Sequence, residues 1–472
     1  MSRRDFILSS LAASFVAGCR TADLFGRPAL TFGVVSDIHV TTPGTEARYE
    51  KALRLFKSRG ADAVMVCGDL ADWGTVGSWQ LVRDAWLRVF RGTDVVPLLC
   101  TGNHDFDGWG YGDMTMDMHA SGHSEDEAAR RMPGGVKAAW EKIFGEEYAP
   151  MRLRTVKGYD FVSAEYAGED NRHRPDAAAF LVAYGRRLRD SGKPFFYFQH
   201  LPIRGTTGDS GSRSDGGGVF PVLKTFPNAV SFTGHTHRPF VDERQIWQGE
   251  FTAIGTPSLS YPTLVGHENG SAKRDGSATN AMRMIPVRRD LEGTQGFFVN
   301  VYADRIVVER IDVEADGAEA APAWIIPLAG AKPFAWAEAE KRVPVPVFPE
   351  GAGVRCSMRN TENRQGKWTI VMTCEFPSAA VPEGWRVFDY EIRAVPKDGS
   401  APLVKLFYSP AYHKLASCEP ARQRFWFDVA ELPQDKDYVM EVRARNCFGK
   451  ASAPITPGRV FHGCPGLGKA KR

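Results

Sequence analysis

From Ala29 to about Val313, short apolar runs alternate with longer stretches whose apolar positions recur with a helical period. The runs ALTFGVVSD, DAVMVC and DVVPLLC are typical of buried strands, and EARYEKALRLFKSRG and VGSWQLVRDAWLRVF between them are typical of helices. The runs KPFFYFQH and NAVSFTGH add two buried strands, and GFFVNVYADRIVVERIDV predicts a closing hairpin. This alternation predicts sheets flanked by helices, with functional loops beyond the carboxyl ends of the strands.

A second domain is predicted after this α/β region. Residues 314–353 are rich in Ala and Pro, which predicts a linker that lies on the surface. Residues 354–460 show alternating strand patterns separated by turn residues, the pattern of a small all-β sandwich. Within them, DYVMEVRARNCFGKASAP resembles the penultimate strand and following turn of a fibronectin type III domain. The domains are therefore predicted at 29–313 and 354–460, with a tail at 461–472.

The first residues, MSRRDFILSSLAASFVAGC, combine paired arginines with an apolar stretch that is too short to span a bilayer as a permanent helix. SRRDFIL resembles a twin-arginine export signal, and VAGC, which ends at Cys19, resembles a bacterial lipobox. These resemblances imply an export signal within residues 1–28, a place in the periplasm or cell envelope, and a lipid anchor to the membrane at Cys19. An ordinary cleaved signal and an uncleaved anchor are the alternatives.

Composition narrows the function classes. The 472 residues are 43% hydrophobic and 24% charged, which is ordinary for a folded soluble protein and long enough for two domains. The net charge is +3, and Lys and Arg are spread among acidic residues. Because nucleic acid is usually met by a concentrated basic stripe, it is not expected as the main partner.

The cysteines divide into two groups. Cys67 and Cys100 lie in apolar strand-like runs, where cysteine is usually a small buried hydrophobe. Five more fall in the last quarter of the chain, where one or two disulfides are expected in an oxidising compartment, with the pairing open. These five are Cys356, Cys374, Cys418, Cys447 and Cys464.

Ionisable or amide side chains follow five predicted strands in turn. The blocks are SDIH (Asp37, His39), GDL (Asp69), GNHD (Asn103, His104, Asp105), QH (His200) and GHTH (His235, His237). A single block would usually cap a helix or lie in solvent, but five successive strand-end blocks favour one shared site. Oxygen and imidazole donors without a thiolate suit Fe, Mn or Zn and leave positions open for water and substrate.

The order of these blocks is similar to that of the calcineurin-like metallophosphoesterases, which read D-x-H, G-D, G-N-H-D or E, H, and G-H-x-H. The match covers Thr31 to about Arg310. The resemblance implies an α/β fold with a two-sheet αββα core, and two divalent or trivalent transition-metal ions that hold a hydroxide for attack on a phosphoester. It implies Asp37, His39, Asp69 and His237 as ligands of one ion, and Asp69, Asn103, His200 and His235 as ligands of the other, with Asp69 as the bridge.

The same resemblance gives His104 a catalytic role, either contact with a phosphoryl oxygen or protonation of the leaving alcohol. Asp105 is expected either to orient His104 or to cap the following turn. Purple acid phosphatases in this superfamily carry a tyrosine ligand three residues after the G-D aspartate, where this chain has Asp72. We therefore expect no close kinship to that branch.

Two insertions are expected beside the metals. One follows the GNHD block and contains His123, which is predicted to lie on the surface. The other, Arg204 to Gly218, is predicted as a mobile lid, with contact of Arg204 and Arg213 to a second phosphate or a polar head group as the alternative. The block GTPSLSYP is predicted to form another wall of the pocket.

The sequence thus predicts a metal-dependent hydrolase of phosphomonoesters or phosphodiesters. One alternative is a phosphodiesterase of the cyclic-nucleotide or phospholipid type. Another is a non-catalytic protein whose metals only staple the fold while the sandwich contacts a protein or glycan. A serine hydrolase is disfavoured because no G-x-S-x-G block is present.

Overall fold

The computed structural model describes residues 26–463 with gaps. The gaps are 73–75, 106–134, 167–174, 209, 212–213, 266–270, 273–277, 280–283, 287–293, 363–367, 383 and 411. The predicted export signal with Cys19 lies almost wholly outside the described residues, as do His123, Arg213 and Cys464.

The first domain contains sixteen described strands and seven described helices. The strands are β1 (Leu30–Val35), β2 (Ala63–Cys67), β3 (Val96–Cys100), β4 (Met151–Val156), β5 (Tyr159–Ala164), β6 (Phe195–Gln199), β7 (Ala229–Thr233), β8 (Ile246–Gln248), β9 (Thr252–Gly255), β10 (Thr263–Val265), β11 (Ser271–Ala272), β12 (Ala278–Thr279), β13 (Met284–Pro286), β14 (Gln295–Val301), β15 (Arg305–Asp312) and β16 (Ala318–Pro327). The helices are α1 (Pro43–Ser58), α2 (Val76–Phe90), α3 (Gly135–Phe144), α4 (Pro175–Ala183), α5 (Gly185–Asp190), α6 (Phe220–Leu223) and α7 (Trp336–Arg342).

Two six-stranded sheets organise this domain. The first has the order β16-β15-β14-β1-β2-β3, with β1, β2 and β3 parallel and the β14–β15 hairpin antiparallel. The second has the order β4-β5-β6-β7-β9-β8, with β5, β6, β7 and β9 parallel. Strands β1, β2, β6 and β7 carry nearly continuous apolar residues, because each is covered on both faces.

The sheets pack face to face, with helices on both outer sides. Phe32 of the first sheet contacts Phe161, Phe196 and Phe232 of the second edge-on, with ring centroids 5.3, 4.9 and 6.0 Å away. Helices α1, α2 and α3 cover the outer face of the first sheet, and α4, α5 and α6 cover that of the second. The predicted αββα core is confirmed.

The predicted linker at 314–353 is wrong over much of its length. Its first part is strand β16, which pairs antiparallel with β15 and extends the first sheet. Trp324 of this strand is fully buried between the sheet and Phe334. The Ala and Pro content suggested an irregular segment. However, Ala320, Ala321 and Trp324 are buried, so the segment contributes apolar side chains to the core as a strand of the sheet.

The C-terminal domain is an all-β sandwich, as predicted. Its described strands are β17 (Arg355–Glu362), β18 (Trp368–Pro377), β19 (Asp389–Pro396), β20 (Leu403–Tyr408), β21 (Arg422–Asp428), β22 (Asp437–Arg445) and β23 (Phe461–His462). They form a three-stranded sheet, β17-β18-β21, and a four-stranded sheet, β20-β19-β22-β23. The likeness to a fibronectin type III domain stays a prediction. In the described part of the chain, no helix has both the length and the apolar character needed to cross a membrane.

The described cysteines are all free thiols. Cys67 and Cys100 are buried in the first sheet, as predicted. Cys356 and Cys374 face each other across strands β17 and β18, with their sulfurs 3.7 Å apart. This is the pair that the strand register brings together among the cysteines of the last quarter.

Candidate metal centre

The five sequence blocks converge at one edge of the two packed sheets. Strands β1, β2 and β3 end beside one another in the first sheet, and β6 and β7 end beside one another in the second. Each block directly follows one of these strands, so their side chains meet where the two sheets face each other. The arrangement is the one expected for functional loops at the carboxyl ends of parallel strands.

The predicted ligands of the first ion lie together. One donor atom from each of Asp37, His39, Asp69 and His237 can be chosen so that all four lie within 4.8 Å of one another. Nε2 of His237 lies 2.9 Å from Oδ1 of Asp37 and 3.3 Å from Nε2 of His39. All four residues are buried. This spacing can accommodate a single ion among the four donors.

The predicted ligands of the second ion lie next to the first group. Nε2 of His200 lies 3.0 Å from Oδ1 of Asn103 and 3.2 Å from Oδ2 of Asp69. The rings of His200 and His235 lie with their centroids 5.1 Å apart. Oδ2 of Asp69 also lies 3.8 Å from Nε2 of His39, so this oxygen stands between the two groups. That position fits a bridging carboxylate.

Three imidazoles present a ring nitrogen lone pair to the cluster. Nδ1 of His200 donates to the carbonyl of Cys67 at 2.9 Å, and Nδ1 of His237 donates to the carbonyl of Tyr261 at 2.9 Å. Nδ1 of His39 lies 2.5 Å from Oδ1 of Asp72. When Nδ1 carries the proton, Nε2 of a neutral imidazole is an acceptor, and each of these Nε2 atoms points at other acceptors.

This concentration of acceptors fits metal ions. His104 donates its backbone amide to Oδ1 of Asp69 at 2.9 Å, whereas Oδ2 is buried and accepts no hydrogen bond of normal geometry. A buried oxygen opposed by lone pairs is costly unless a cation or a proton lies between them. Histidines that ligate metals commonly donate their other ring nitrogen to a carbonyl or carboxylate, as His200 and His237 do, while Nδ1 of His39 lies at ion-pair distance from Asp72.

The electrostatics of the cluster also favour positive charge. Burial acts to raise the pKa of Asp37, but the imidazole of His237, and then those of His200 and His39, hold this pKa well below its usual value. Burial acts to lower the pKa of His200, but Asp69 and Asp37 raise it to about 9. In the ion-free cluster a proton on His200 thus balances the buried carboxylates, and a bound cation would take the place of that proton.

Five of the seven predicted ligands hold an unfavourable backbone conformation. The angle φ is 49° at Asp37, 45° at His39, 50° at Asp69, 68° at His235 and 53° at His237. For a residue with a side chain, this region costs on the order of 1–3 kcal/mol and persists where surrounding structure enforces it, often at functional sites. The strand-end loops are thus shaped to aim these side chains.

Two glycines of the blocks leave room for the ligands. A Cβ atom at Gly102 would lie 2.2 Å from Oδ1 of Asp69. A Cβ atom at Gly234 would lie 1.9 Å from Oγ of Ser36 and 2.7 Å from Oδ2 of Asp37. Any other residue at either position would displace a predicted ligand, which explains the glycine in the G-N-H-D and G-H-x-H blocks.

His104 lies at the rim of the cluster. Its ring meets that of His39 edge-on with centroids 4.9 Å apart, and its side chain is 32% exposed, unlike the fully buried His39 and His200. Nδ1 of His104 lies 3.1 Å from the carbonyl oxygen of Asp72. The ring is therefore placed to meet a molecule that approaches the cluster from solvent.

Asp105 has a different position from the one expected of an orienting partner. Its carboxylate is fully buried and accepts hydrogen bonds from the amides of Leu70, Ala71 and Gly102 and from the indole of Trp79, at 2.8–3.0 Å. Burial and then Asp69 raise its pKa to about 7. Asp105 joins the G-D loop to the G-N-H-D loop, and its hydrogen bonds do not include the His104 ring.

Asp72 is the residue that the sequence blocks did not assign. Beyond its contact with His39, its Oδ1 atom lies 4.0 Å from Nδ1 of His104. Its place three residues after Asp69 was visible in the sequence, but its role depends on the fold of the loop. One donor atom from each of Asp72, His39 and His104 can be chosen so that all three lie within 4.8 Å of one another, so Asp72 borders the predicted ligands.

The structure agrees with the predicted pocket wall, GTPSLSYP, but not with the predicted mobile lid at Arg204 to Gly218. Tyr261 of the GTPSLSYP block packs its ring 4.4 Å from that of His237 and 5.2 Å from that of His39, so this block lines the site as predicted. In the second insertion, the described residues Thr206, Ser210 and Asp215 are buried and the amide of Gly208 donates to the carbonyl of Arg244. That packing is contrary to a mobile lid over these residues.

The sequence was compared with models of protein families and with curated proteins. The model of the calcineurin-like phosphoesterases matches residues 30–239. No curated protein gives a significant match. Strands β1 to β7 and all seven predicted ligands fall within the matched segment, so this part of the chain is similar to the calcineurin-like phosphoesterases.

Several solved structures are similar at low identity. A dimetal phosphatase from Danio rerio is 12% identical, with 64% of this chain and 100% of that chain covered and a TM-score of 0.40. The Plasmodium protein GAP50, described as the anchor in the inner membrane complex, is 12% identical, with coverage of 66% and 93% and a TM-score of 0.36. A purple acid phosphatase from yellow lupin is 10% identical, with coverage of 66% and 56% and a TM-score of 0.38.

Proposed function

We propose that the protein hydrolyses phosphoester bonds with two transition-metal ions held by the seven strand-end ligands. The observation that carries this proposal is the convergence of acceptors at Oδ2 of Asp69, which faces Nε2 of His200 at 3.2 Å and Nε2 of His39 at 3.8 Å. Nitrogen and oxygen donors without a thiolate favour Fe, Mn or Zn. The nearest thiol in the sequence, Cys67, is buried in strand β2 and offers its carbonyl, not its sulfur, to His200.

Bound ions of this kind would activate a water molecule and neutralise the charge of the phosphoryl oxygens. The protein supplies the geometry. The amides of His104 and His235 hold the carboxylates of Asp69 and Asp37, at 2.9 Å and at 3.1–3.2 Å, so that both keep one orientation. The oxygen of water forms a bond to phosphorus while the bond between phosphorus and the oxygen of the leaving alcohol breaks. His104, at the rim, donates a proton to the oxygen of the leaving alcohol.

Monoesters and diesters are both compatible with this site. A diesterase of the cyclic-nucleotide or phospholipid type is the nearest alternative within the same chemistry. A non-catalytic protein with structural metals is the alternative from another class. The half-exposed ring of His104, which is not among the proposed ligands, favours catalysis, because a purely structural site has no use for it.

The test is a substrate screen of metal-loaded protein with phosphomonoesters, phosphodiesters, nucleotides and phospholipid head groups. We expect turnover that a chelator abolishes and that Mn²⁺, Zn²⁺ or Fe²⁺ restores. Asp69→Asn should remove it, whereas Asp84→Asn, at an exposed carboxylate on α2, should not. Two bound ions without turnover of any of these classes would instead support the non-catalytic alternative.

We further propose, from the sequence alone, that the protein is exported and anchored through Cys19. The basis is the twin-arginine and lipobox resemblance of the first nineteen residues. Mass spectrometry of the N-terminal peptide from cell envelopes tests this. A diacylated or triacylated Cys19 at the mature N-terminus is expected, and an unmodified N-terminus at Met1 in the cytoplasm would contradict it.

A further inference from the structure

The chain that follows His237 runs directly into the boundary between the two domains. Residues 238–245 form a segment, called here the post-histidine segment, in which Phe240, Val241, Asp242 and Glu243 are all buried. Phe240 and Val241 belong to one continuous apolar cluster with residues of the sandwich. The metal-ligand loop and the C-terminal domain therefore share a core.

One side-chain amide links this segment to the sandwich. The backbone amide of Phe240 donates to Oε1 of Gln295 at 2.9 Å, and Nε2 of Gln295 donates to the carbonyl of His413 at 2.9 Å. Gln295 is fully buried at the start of β14. His413 lies in the sandwich, between β20 and β21. The side-chain amide of Gln295 thus gives a hydrogen-bond partner to the buried N–H of Phe240 in the first domain and to the carbonyl of His413 in the sandwich.

A partly buried arginine makes a second link. Arg244 donates from Nε and Nη2 to the two carboxylate oxygens of Asp242, at 2.8 and 2.6 Å. Its guanidinium lies 4.6 Å from the centre of the Phe388 ring in the sandwich. Phe388 is held in turn by Tyr408 and Tyr412, with ring centroids 5.3 and 4.9 Å away. A desolvated cation over an aromatic face is a favourable contact that depends on the ring.

The first domain holds the same segment from the opposite side. The carboxylate of Glu243 accepts from Arg310 of β15 at 2.5 Å and from Arg342 of α7 at 2.9 Å. The indole of Trp324 in β16 donates to the same carboxylate at 3.2–3.3 Å. These contacts from the first domain hold Glu243 in place. The contacts with the sandwich then determine how far the remaining residues of the post-histidine segment can move.

We propose that the C-terminal sandwich is a positioning element of the metal centre, with Phe388 and His413 acting through Arg244 and Gln295 on the loop that carries His235 and His237. The proposal rests on the proposed metal site. Both histidines have positive φ, so their loop needs contacts from outside to keep its conformation. The sandwich supplies those contacts three to seven residues beyond His237.

The experiment compares three variants of the full-length protein. Phe388→Leu removes the ring under Arg244, and Gln295→Met removes the amide bridge with little change in size. Phe425→Leu is the matched control, because Phe425 is an equally buried ring that packs on Phe376, Tyr390 and Phe407 within the sandwich. Thermal unfolding measures the global effect of each. Hydrogen exchange of the post-histidine segment and chelator competition for both ions measure the local one.

We expect Phe388→Leu and Gln295→Met to speed exchange in the post-histidine segment and to weaken binding of both ions, each by about 2- to 30-fold, because the loop carries one ligand of each. Phe425→Leu should lower the thermal stability while it leaves both local measurements as in the unaltered protein. Equal local effects in all three variants, or none in the first two, would overturn the proposal. Hydrogen exchange is read in metal-free protein, so a protein that binds no ion would refute the proposed function while the exchange result still decides the role of the sandwich.

Discussion

Nδ1 of His39 lies 2.5 Å from Oδ1 of Asp72, in a place where neither side chain is open to solvent to any great extent. The negative charge of the carboxylate favours a proton on Nδ1, which leaves the lone pair of Nε2 facing the cluster. It also increases the basicity of the imidazole, which strengthens its bond to a cation.

Replacing Asp72 should therefore weaken metal binding without removing a ligand. In Asp72→Ala, His39 loses the acceptor that fixes its tautomer, and we expect a loss of about 10- to 100-fold in metal affinity. Competition with a chromogenic chelator measures it. Asp84→Ala, at an exposed carboxylate, is the control. An affinity for both ions equal to that of the unaltered protein would show that the contact has no role in binding.

Replacing the bridge should affect both ions together. Asp69→Asn exchanges Oδ2 or Oδ1 for an amide that donates hydrogen bonds and lacks the negative charge needed between two cations. We expect elemental analysis to give much less than one ion per chain after dialysis. Retention of one full equivalent would mean that Asp69 belongs to a single site.

Replacing His104 should change catalysis and leave the ions in place. If its ring protonates the departing alkoxide, His104→Ala should lose about 10²- to 10⁴-fold on alkyl esters and clearly less on nitrophenyl esters, whose leaving group needs no proton. Steady-state kinetics with both ester types measure the difference. An equal loss on both would assign the ring to a phosphoryl oxygen instead, and a loss of metal would make His104 a ligand.

The ion pair in the post-histidine segment should make stability depend on pH. Burial acts to raise the pKa of Asp242, but Arg244 and then Arg238 hold it below its usual value. The lowered pKa means that the ionised Asp242 stabilises the folded protein at pH values above about 4, the pKa of an aspartate in the unfolded chain. This stabilisation is lost as the pH falls through the lower pKa of Asp242 in the folded protein.

Asp242→Asn should consequently destabilise the protein at neutral pH, by about 1.5–3 kcal/mol, because it removes the carboxylate that hydrogen-bonds the partly buried guanidinium of Arg244. The difference from the unaltered protein should narrow as pH falls below about 4, where Asp242 becomes protonated first in the unfolded chain and, at lower pH, in the folded protein. Urea unfolding across this pH range measures it. Asp304→Asn, at an exposed ion pair with Arg305, should have a far smaller effect. A constant difference at all pH values would argue against a charge effect.

The site was predictable from sequence because its ligands follow strands that the apolar pattern identifies. Asp37, Asp69 and His200 each come directly after a buried run, and parallel strands bring such positions to one edge. The apolar pattern predicted sheets flanked by helices, whereas the two-sheet αββα core and the division of the ligands between two ions were implied by the resemblance of the block order to the calcineurin-like metallophosphoesterases.

The contacts that hold the site were not predictable in this way. Asp105 joins two loops, and Gln295 joins two domains, through hydrogen bonds to backbone atoms that leave no mark on residue type. Strand β16 was missed because Ala and Pro suggested a linker, whereas pairing with β15 and burial of Trp324 determine its structure. These features depend on tertiary neighbours, which override local preference.

The central claim is that two ions at this cluster carry phosphoester hydrolysis. The most direct test is a titration of metal-free protein with Mn²⁺ or Zn²⁺, in which bound metal and hydrolysis are measured in the same samples. We predict that activity rises to a plateau at two ions per chain and is absent in Asp69→Asn at every ratio. Full activity at one ion per chain, or activity that persists without metal, would contradict it.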